Sequence, residues 1–288
     1  MTTAPRRISA RQLLGATFSF QHLPLPEVAR ILQSHGLTRI ELWGIAPHLD
    51  LYHSDDRKVE WVRQIFADHG QQVRIFTPEQ VLYPVNIASG DPAYQRASID
   101  HFRRAADMAA ALGARHLFLT AGRGYEVEAP AATWDRAALA LSEIVTHAAT
   151  LGLRCLLEPL QRRESNILHN AADLKRMVDQ LNSPTVDVVL DLVAMASAGD
   201  SVGDYLRQFG KSVAHVHVVD GTPSGHLVWG DGTLPLGDWI NALGAAGYGG
   251  TLSFEPFGDG SYALAPARAL ARNLTAIALH LDQDGTAA

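Results

Sequence analysis

Four short apolar runs in the second half of the chain each close on a residue able to ligate a metal. They are RCLLE on Glu158, VDVVLD on Asp191, VAHVH on His217 and TLSFE on Glu255. Three carboxylates and one imidazole suit a single divalent cation. Mn²⁺ is the expected ion; Co²⁺, Ni²⁺, Mg²⁺ or Zn²⁺ would also fit the donor set. Carboxylates beside such an ion can also take and return protons. Taken singly, each residue has a plainer explanation. A glutamate at a strand end usually faces solvent, Asp191 stands where a cap for the next helix would be, and a histidine in an apolar run is most often a satisfied core residue. The set is more telling than its members. Glu158 in LEPL and Glu255 in FEPF both precede proline, which lacks an N–H and fixes a stiff turn just past the strand.

A repeated strand–helix unit must position these residues. Apolar runs predict strands at 14–20, 39–43, 72–76, 116–120, 154–158, 186–191, 213–217 and 251–255. Helices are expected at roughly 25–35, 57–69, 94–112, 134–151, 171–181, 201–209, 237–246 and 262–281. Several end at a glycine able to take positive φ: Gly36, Gly70, Gly113, Gly152, Gly210 and Gly247. Eight such units read as an α/β chain, a single (β/α)₈ TIM-barrel domain over 1–288. A doubly wound open sheet is the alternative, but ligands on four successive strands meet naturally only at the mouth of a closed barrel. Residues two apart on a strand share a face. Leu156 with Glu158, Val189 with Asp191, His215 with His217, and Ser253 with Glu255 should therefore point inward, each pair ending at the C-terminal rim.

Composition excludes other classes. The formal charge is −6 over 288 residues, and no basic run exceeds two. Nucleic-acid binding needs concentrated positive charge, so no such partner is expected. No apolar stretch is long enough to span a bilayer, and the first residues lack the apolar segment of a signal peptide. The expectation is a cytoplasmic protein with no membrane partner. Cys155 is the only cysteine, so no intrachain disulfide can form. Between Arg154 and Leu156 it reads as a small core hydrophobe.

The stretches IELWGIAPH (40–48), YPVNIASGD (83–91), LEPLQRRESNILHNAADL (157–174), HVHVVDGTPSGHLVWGDGTLPL (215–236) and GYGGTLSFEPF (247–257) carry a resemblance. The chain resembles the xylose isomerase-like superfamily of sugar isomerases and epimerases. Within it the chain is similar to the ketose 3-epimerases, above all their fructoselysine branch. The resemblance implies metal ligands at Glu158, Asp191, His217 and Glu255, a catalytic pair at Glu158 and Glu255, and a substrate-binding glutamate near O1 at Glu164. Tagatose and allulose epimerases carry a histidine where this chain has Ala194 and an arginine near the position of Pro223. The fructoselysine branch lacks that histidine and has one matching His226. The resemblance thus implies a metal-dependent epimerase inverting C3 of a ketose or ketose-amine, fructoselysine- or psicoselysine-like. D-fructose, D-allulose or D-tagatose are further options, and a homo-oligomer, dimer or tetramer, is implied.

The chemistry of the residues agrees. The C3–H of a ketose is acidic because it neighbours the C2 carbonyl, and a Lewis acid on O2 and O3 stabilises the enediolate. Inversion needs a base on each face of C3, which Glu158 and Glu255 supply from the fifth and eighth strands. An aldose–ketose isomerase or a sugar lyase (a dehydratase or a C-glycoside-cleaving enzyme) uses the same proton abstraction and is the alternative. A non-catalytic sugar-binding barrel would lack a ligand or a base, and a DNA-repair endonuclease would carry more histidines and a basic face. His226, in a Gly-rich loop after the seventh strand, and Trp43 and His48, by the second, are candidate substrate contacts. His215 reads as core or as support for His217, whose second nitrogen needs an acceptor. Arg123 reads equally as solvated or as reaching a substrate anion, and Asn86 as a turn residue.

Overall fold

The computed structural model describes residues 6–80 and 84–282. Eight strands follow one another in sequence order around a barrel. They are β1 (Gly15–Ala16), β2 (Arg39–Gly44), β3 (Gln72–Pro78), β4 (His116–Leu119), β5 (Arg154–Leu157), β6 (Val186–Asp191), β7 (Val213–His217) and β8 (Thr251–Ser253). Every neighbouring pair is parallel. A parallel bridge between Leu13 and Leu252, with Leu14 N donating to Leu252 O at 2.8 Å, ties the last strand to the first. The helices are α1 (Leu25–Ser34), α2 (Asp56–Asp68), α3 (Pro92–Ala111), α4 (Pro130–Thr150), α5 (Ala171–Leu181), α6 (Leu192–Ala198), α7 (Val202–Phe209), α8 (Leu236–Ala245) and α9 (Pro266–Ala278). Asp55 caps α2 and Asn170 caps α5, each through its side-chain oxygen. All six expected glycines have positive φ. The fold is the expected (β/α)₈ barrel. Among the described residues no helix is long and apolar enough to cross a membrane.

The pleat sorts the core as parity requires. Leu14, Ile75, Phe118, Leu156 and Val189 fill the barrel interior. Cys155, Leu157, Val188 and Leu190 face the helices. Burial pushes the Cys155 thiol up to about 12, so it stays a packed hydrophobe rather than a thiolate. Two register shifts refine the pattern. Arg74 is an extra residue in β3 against Ile40–Glu41, and Ala214 is an extra residue in β7 against Val188–Val189. Each re-aims its strand so that Ile75 and His215 turn inward after an outward Val73 and Val213.

The structure departs from expectation at several ends. The first strand is not 14–20: it stops at Ala16, and Phe18–Phe20 form a 3-10 turn. Thr17 leaves the extended region at φ −101°, ψ 8°, and its hydroxyl accepts a bond from Trp43 N at 2.9 Å. Pairing ends at Leu157, one residue before Glu158, and at Ser253, two before Glu255, and Pro159 and Pro256 then bar any return to the ladder. The final helix begins at Pro266 rather than 262, after a short 3-10 segment. Tyr83, in the stretch 83–91, lies outside the described residues.

The interior layer carries the stability of the site above it. Leu156→Ala should cost about 2–5 kcal/mol in urea-induced unfolding followed by circular dichroism. The exposed Leu139→Ala should change it by no more than about 0.5 kcal/mol. Equal effects would contradict this assignment of the core.

Candidate active site and metal centre

The site begins with a carboxylate buried one strand layer below the rim. Glu41, on β2, is fully buried, and four groups hold it. Thr77 Oγ1 donates to Oε1 at 2.7 Å and Ser253 Oγ to Oε2 at 2.5 Å. His215 Nε2 lies 3.0 Å from Oε2, and His217 Nε2 lies 3.2 Å from Oε1. Burial alone would raise its proton affinity, but the charges of His217 and His215 outweigh this and hold the carboxyl well below the usual range. Glu41 is therefore an ionised acceptor, and it fixes the tautomer of His217 with the proton on Nε2. It is the acceptor that the sequence left unnamed.

Nδ1 of His217 then faces the barrel mouth, where a bound cation would displace its proton and take the lone pair. It stands 2.9 Å from Glu158 Oε1 and 3.2 Å from Glu255 Oε2. His217 Nδ1, Glu158 Oε1 and Asp191 Oδ2 are all buried, and none has a hydrogen-bond partner that satisfies it. Asp191 caps the helix that follows its strand. Its Oδ1 accepts the α6 bond from Ala194 N at 2.5 Å, and its Oδ2 is left for the site. Donor atoms of Glu158, Asp191 and His217 lie within 4.8 Å of one another, and so do those of Asp191, His226 and Glu255. The four expected ligands are thus divided between two overlapping sets that share Asp191, and His226 joins the second. Glu41, His215 and His217 form a third close set, but their facing atoms are already bonded to each other.

Buried oxygens and a lone pair aimed at one point repel unless positive charge lies between them. A divalent cation fits that point: the donors are one nitrogen and carboxylate oxygens, and the orphaned atoms all face it. Electrostatics agree. Burial, helped by Glu255 and Asp191, raises Glu158 well above the usual carboxylate range. Asp191 is raised, first by burial and then by Glu255. Burial would lower His217, but Glu255, Glu41 and Glu158 overcome it and raise the ring well above its ordinary value. All three shifts favour the protonated forms when no cation is bound.

A cavity of about 340 Å³ opens above these residues. Phe18, Trp43, Phe118 and Phe257 give it apolar walls, and Glu158, Glu255, Glu164 and His226 line it too. Phe118 stacks on the His217 ring at 5.3 Å, and Phe18 meets that ring edge-on at 5.7 Å. Trp43 Nε1 donates to Glu79 Oε2 at 2.9 Å. Glu164 accepts from Gln161 N at 3.2 Å and pairs with Arg163 at 3.1 Å. His226 takes φ 37°, rare for a residue with a side chain, and its Nε2 is 3.7 Å from Asp191 Oδ2. Buried Asp220 holds that loop, accepting from Gly221 N at 2.8 Å, Gly230 N at 2.9 Å and Leu234 N at 3.0 Å. At Gly232 a Cβ would sit 2.3 Å from Asp220 Oδ1, so the GDG turn must carry glycine there.

His48 is a correction. It is buried away from the cavity, with Nε2 2.7 Å from Leu23 O, and packs where the sequence expectation placed a substrate contact. Arg123 donates to Arg163 O at 2.7 Å and pairs with Glu126 at 2.5 Å, tying two rim loops together instead of lining the cavity. Asn86 braces the same loop, donating to Arg123 O at 2.7 Å. Sequence reasoning missed Asp220, Phe18 and Phe118 as parts of the site. Phe18 had been placed in a strand, and Phe118 was countable as inward by parity.

Residues 29–278 match the family described as xylose isomerase-like TIM barrel. The chain is 30% identical over 244 residues to fructoselysine 3-epimerase of Escherichia coli O157:H7, covering 83% of this chain and 88% of that one. It is 30% identical over 175 residues to L-ribulose 3-epimerase of Mesorhizobium japonicum, covering 60% and 58%. The solved D-allulose 3-epimerase of Methylomonas sp. superposes with a TM-score of 0.78 at 19% identity, covering 96% and 99%, a likeness of fold.

Two measurements check the site. Glu41→Gln removes the charge behind His217 and should weaken Mn²⁺ binding about 10–100-fold by calorimetry; unchanged affinity would contradict its role. The raised groups Glu158, Asp191 and His217 give stability that is present below their unfolded values and lost as pH rises through their folded ones. Glu41, lowered, acts only below that range. The melting temperature of chelator-treated protein should therefore fall as pH rises from the ordinary carboxylate range past the ordinary imidazole value. Added Mn²⁺ should restore most at the upper end, where protons no longer compete. A flat or rising profile would contradict the cluster's electrostatics.

Proposed function

This chain belongs to the xylose isomerase-like TIM barrel family, and we propose that it works as one barrel domain to invert C3 of a ketose or ketose-amine. The observation that carries the reading is the pair of glutamates, Glu158 and Glu255, which line the cavity and flank His217 Nδ1. Glu158, Asp191, His217 and Glu255 would hold the ion, Mn²⁺ in this reading. When bound, a divalent cation supplies Lewis-acid polarisation of a carbonyl.

The chain's own residues do the rest. One glutamate carboxylate takes the proton from C3, leaving an enediolate delocalised over C2 and C3. The carboxyl of the other returns a proton to the opposite face, and the configuration inverts. Burial that raises Glu158 keeps its conjugate acid within reach despite the neighbouring positive charge. Phe18, Phe118, Trp43 and Phe257 exclude water from the reacting carbon. In this reading Glu164, which lines the cavity, accepts from O1 or its neighbour, and His226, near Asp191 and Glu255, also contacts the substrate. A fructoselysine-like substrate is supported by the relative at 30% identity and by Ala194 and His226 at the positions that separate the branches. A cytoplasmic dimer or tetramer belongs to the same reading.

Proton NMR in D₂O with fructoselysine and with D-fructose tests it. Deuterium should appear at C3 with the ketose retained, and either Glu158→Gln or Glu255→Gln should slow this about 10²–10⁴-fold. Label confined to C1, or loss of the ketose, would replace epimerisation with isomerisation or elimination.

A further inference from the structure

Arginines far apart in the sequence gather at the other end of the barrel. Arg39 opens β2, Arg74 is the extra residue of the β3 shift, Arg115 immediately precedes β4 and Arg154 opens β5. Their backbones are neighbours: Arg115 N donates to Arg74 O at 2.9 Å, and Arg154 N to Arg115 O at 3.0 Å. Arg154 is neutralised by Asp187, at 2.5 and 2.7 Å. The others are not. Arg39, Arg74, Arg115 and Lys211 line one cavity of about 770 Å³ whose wall includes no aspartate or glutamate. Arg39 Nη2 is buried without a hydrogen-bond partner, and among the described residues the Arg74 guanidinium bonds only to Gln72 Oε1, at 2.9 Å. Burial, then the charges of Arg115 and Arg39, lower Arg74 from its ordinary value.

Guanidinium groups stay charged in proteins, so this recess holds like charges that cannot be relieved by losing protons. Such crowding is costly unless an anion enters. Arginine forks match phosphate oxygens in pairs, and the cavity has the size of a small-molecule site. We propose that this recess binds a small, multiply charged, phosphate-bearing anion at a site separate from the catalytic mouth. The metal cluster is at the C-terminal rim and the recess is at the N-terminal ends of the strands, so the two sites respond to different substitutions.

The test is calorimetric titration of the full chain with inorganic tripolyphosphate at fixed ionic strength, after dialysis that leaves no divalent cation for the probe to chelate. Saturable one-site binding is expected, and Arg74→Gln/Arg115→Gln should weaken it at least about tenfold. Glu158→Gln should leave it unchanged. If circular dichroism shows the double variant unfolded, Lys211→Gln, at an exposed lysine, should weaken binding about threefold. The proposal is overturned if no saturable binding occurs, if the arginine and lysine variants bind as the parent does, or if Glu158→Gln abolishes binding. Binding of a single-stranded oligonucleotide in place of tripolyphosphate would also overturn it.

Discussion

Everything at the barrel mouth depends on how His217 is held from behind. Glu41, buried and ionised, accepts the hydrogen bond from Nε2–H, so Nδ1 is the nitrogen that faces forward. Three carboxylates from β5, β6 and β8 or their ends arrive in front of it, with Glu158 Oε1 at 2.9 Å. Like-signed donors at that spacing are stable only around positive charge. The constraint is set in the second strand, yet it governs chemistry contributed by the fifth to the eighth.

The rest of the fold can be understood as support for that arrangement. His215 and Ser253 share Glu41 Oε2, and Thr251 braces the far nitrogen of His215 at 2.7 Å. Phe118 stacks under the His217 ring, while Leu156 and Val189 fill the layer beneath the carboxylates. Side chains locked in this way hold these donor atoms in a fixed arrangement. Above, the aromatic walls keep water away, and Asp220 fixes the loop that holds His226 in a left-handed conformation.

Much of this was legible in the sequence, and particular residues show where legibility ended. The strand–helix–glycine repeat predicted the barrel, and the period of two correctly placed Leu156 and Val189 inside and Cys155 and Leu157 outside. Register shifts at Arg74 and Ala214 were invisible, because a one-residue bulge leaves no mark in an apolar run. Glu41 was readable as inward but not as the partner of His217, since that contact joins residues on opposite sides of the barrel. His48 misled because nearness to a strand end does not say which way a loop turns; its ring finds the Leu23 carbonyl. The basic recess was hidden because one arginine per repeat never forms a run.

Anomalous X-ray scattering at the manganese edge, from crystals grown with MnCl₂, would locate the cation that Glu41 and His217 are arranged to hold. One peak is expected in front of His217 Nδ1, within coordination distance of Glu158, Asp191 and Glu255. A peak on the Glu41 side of the ring, or none at saturating Mn²⁺, would contradict it.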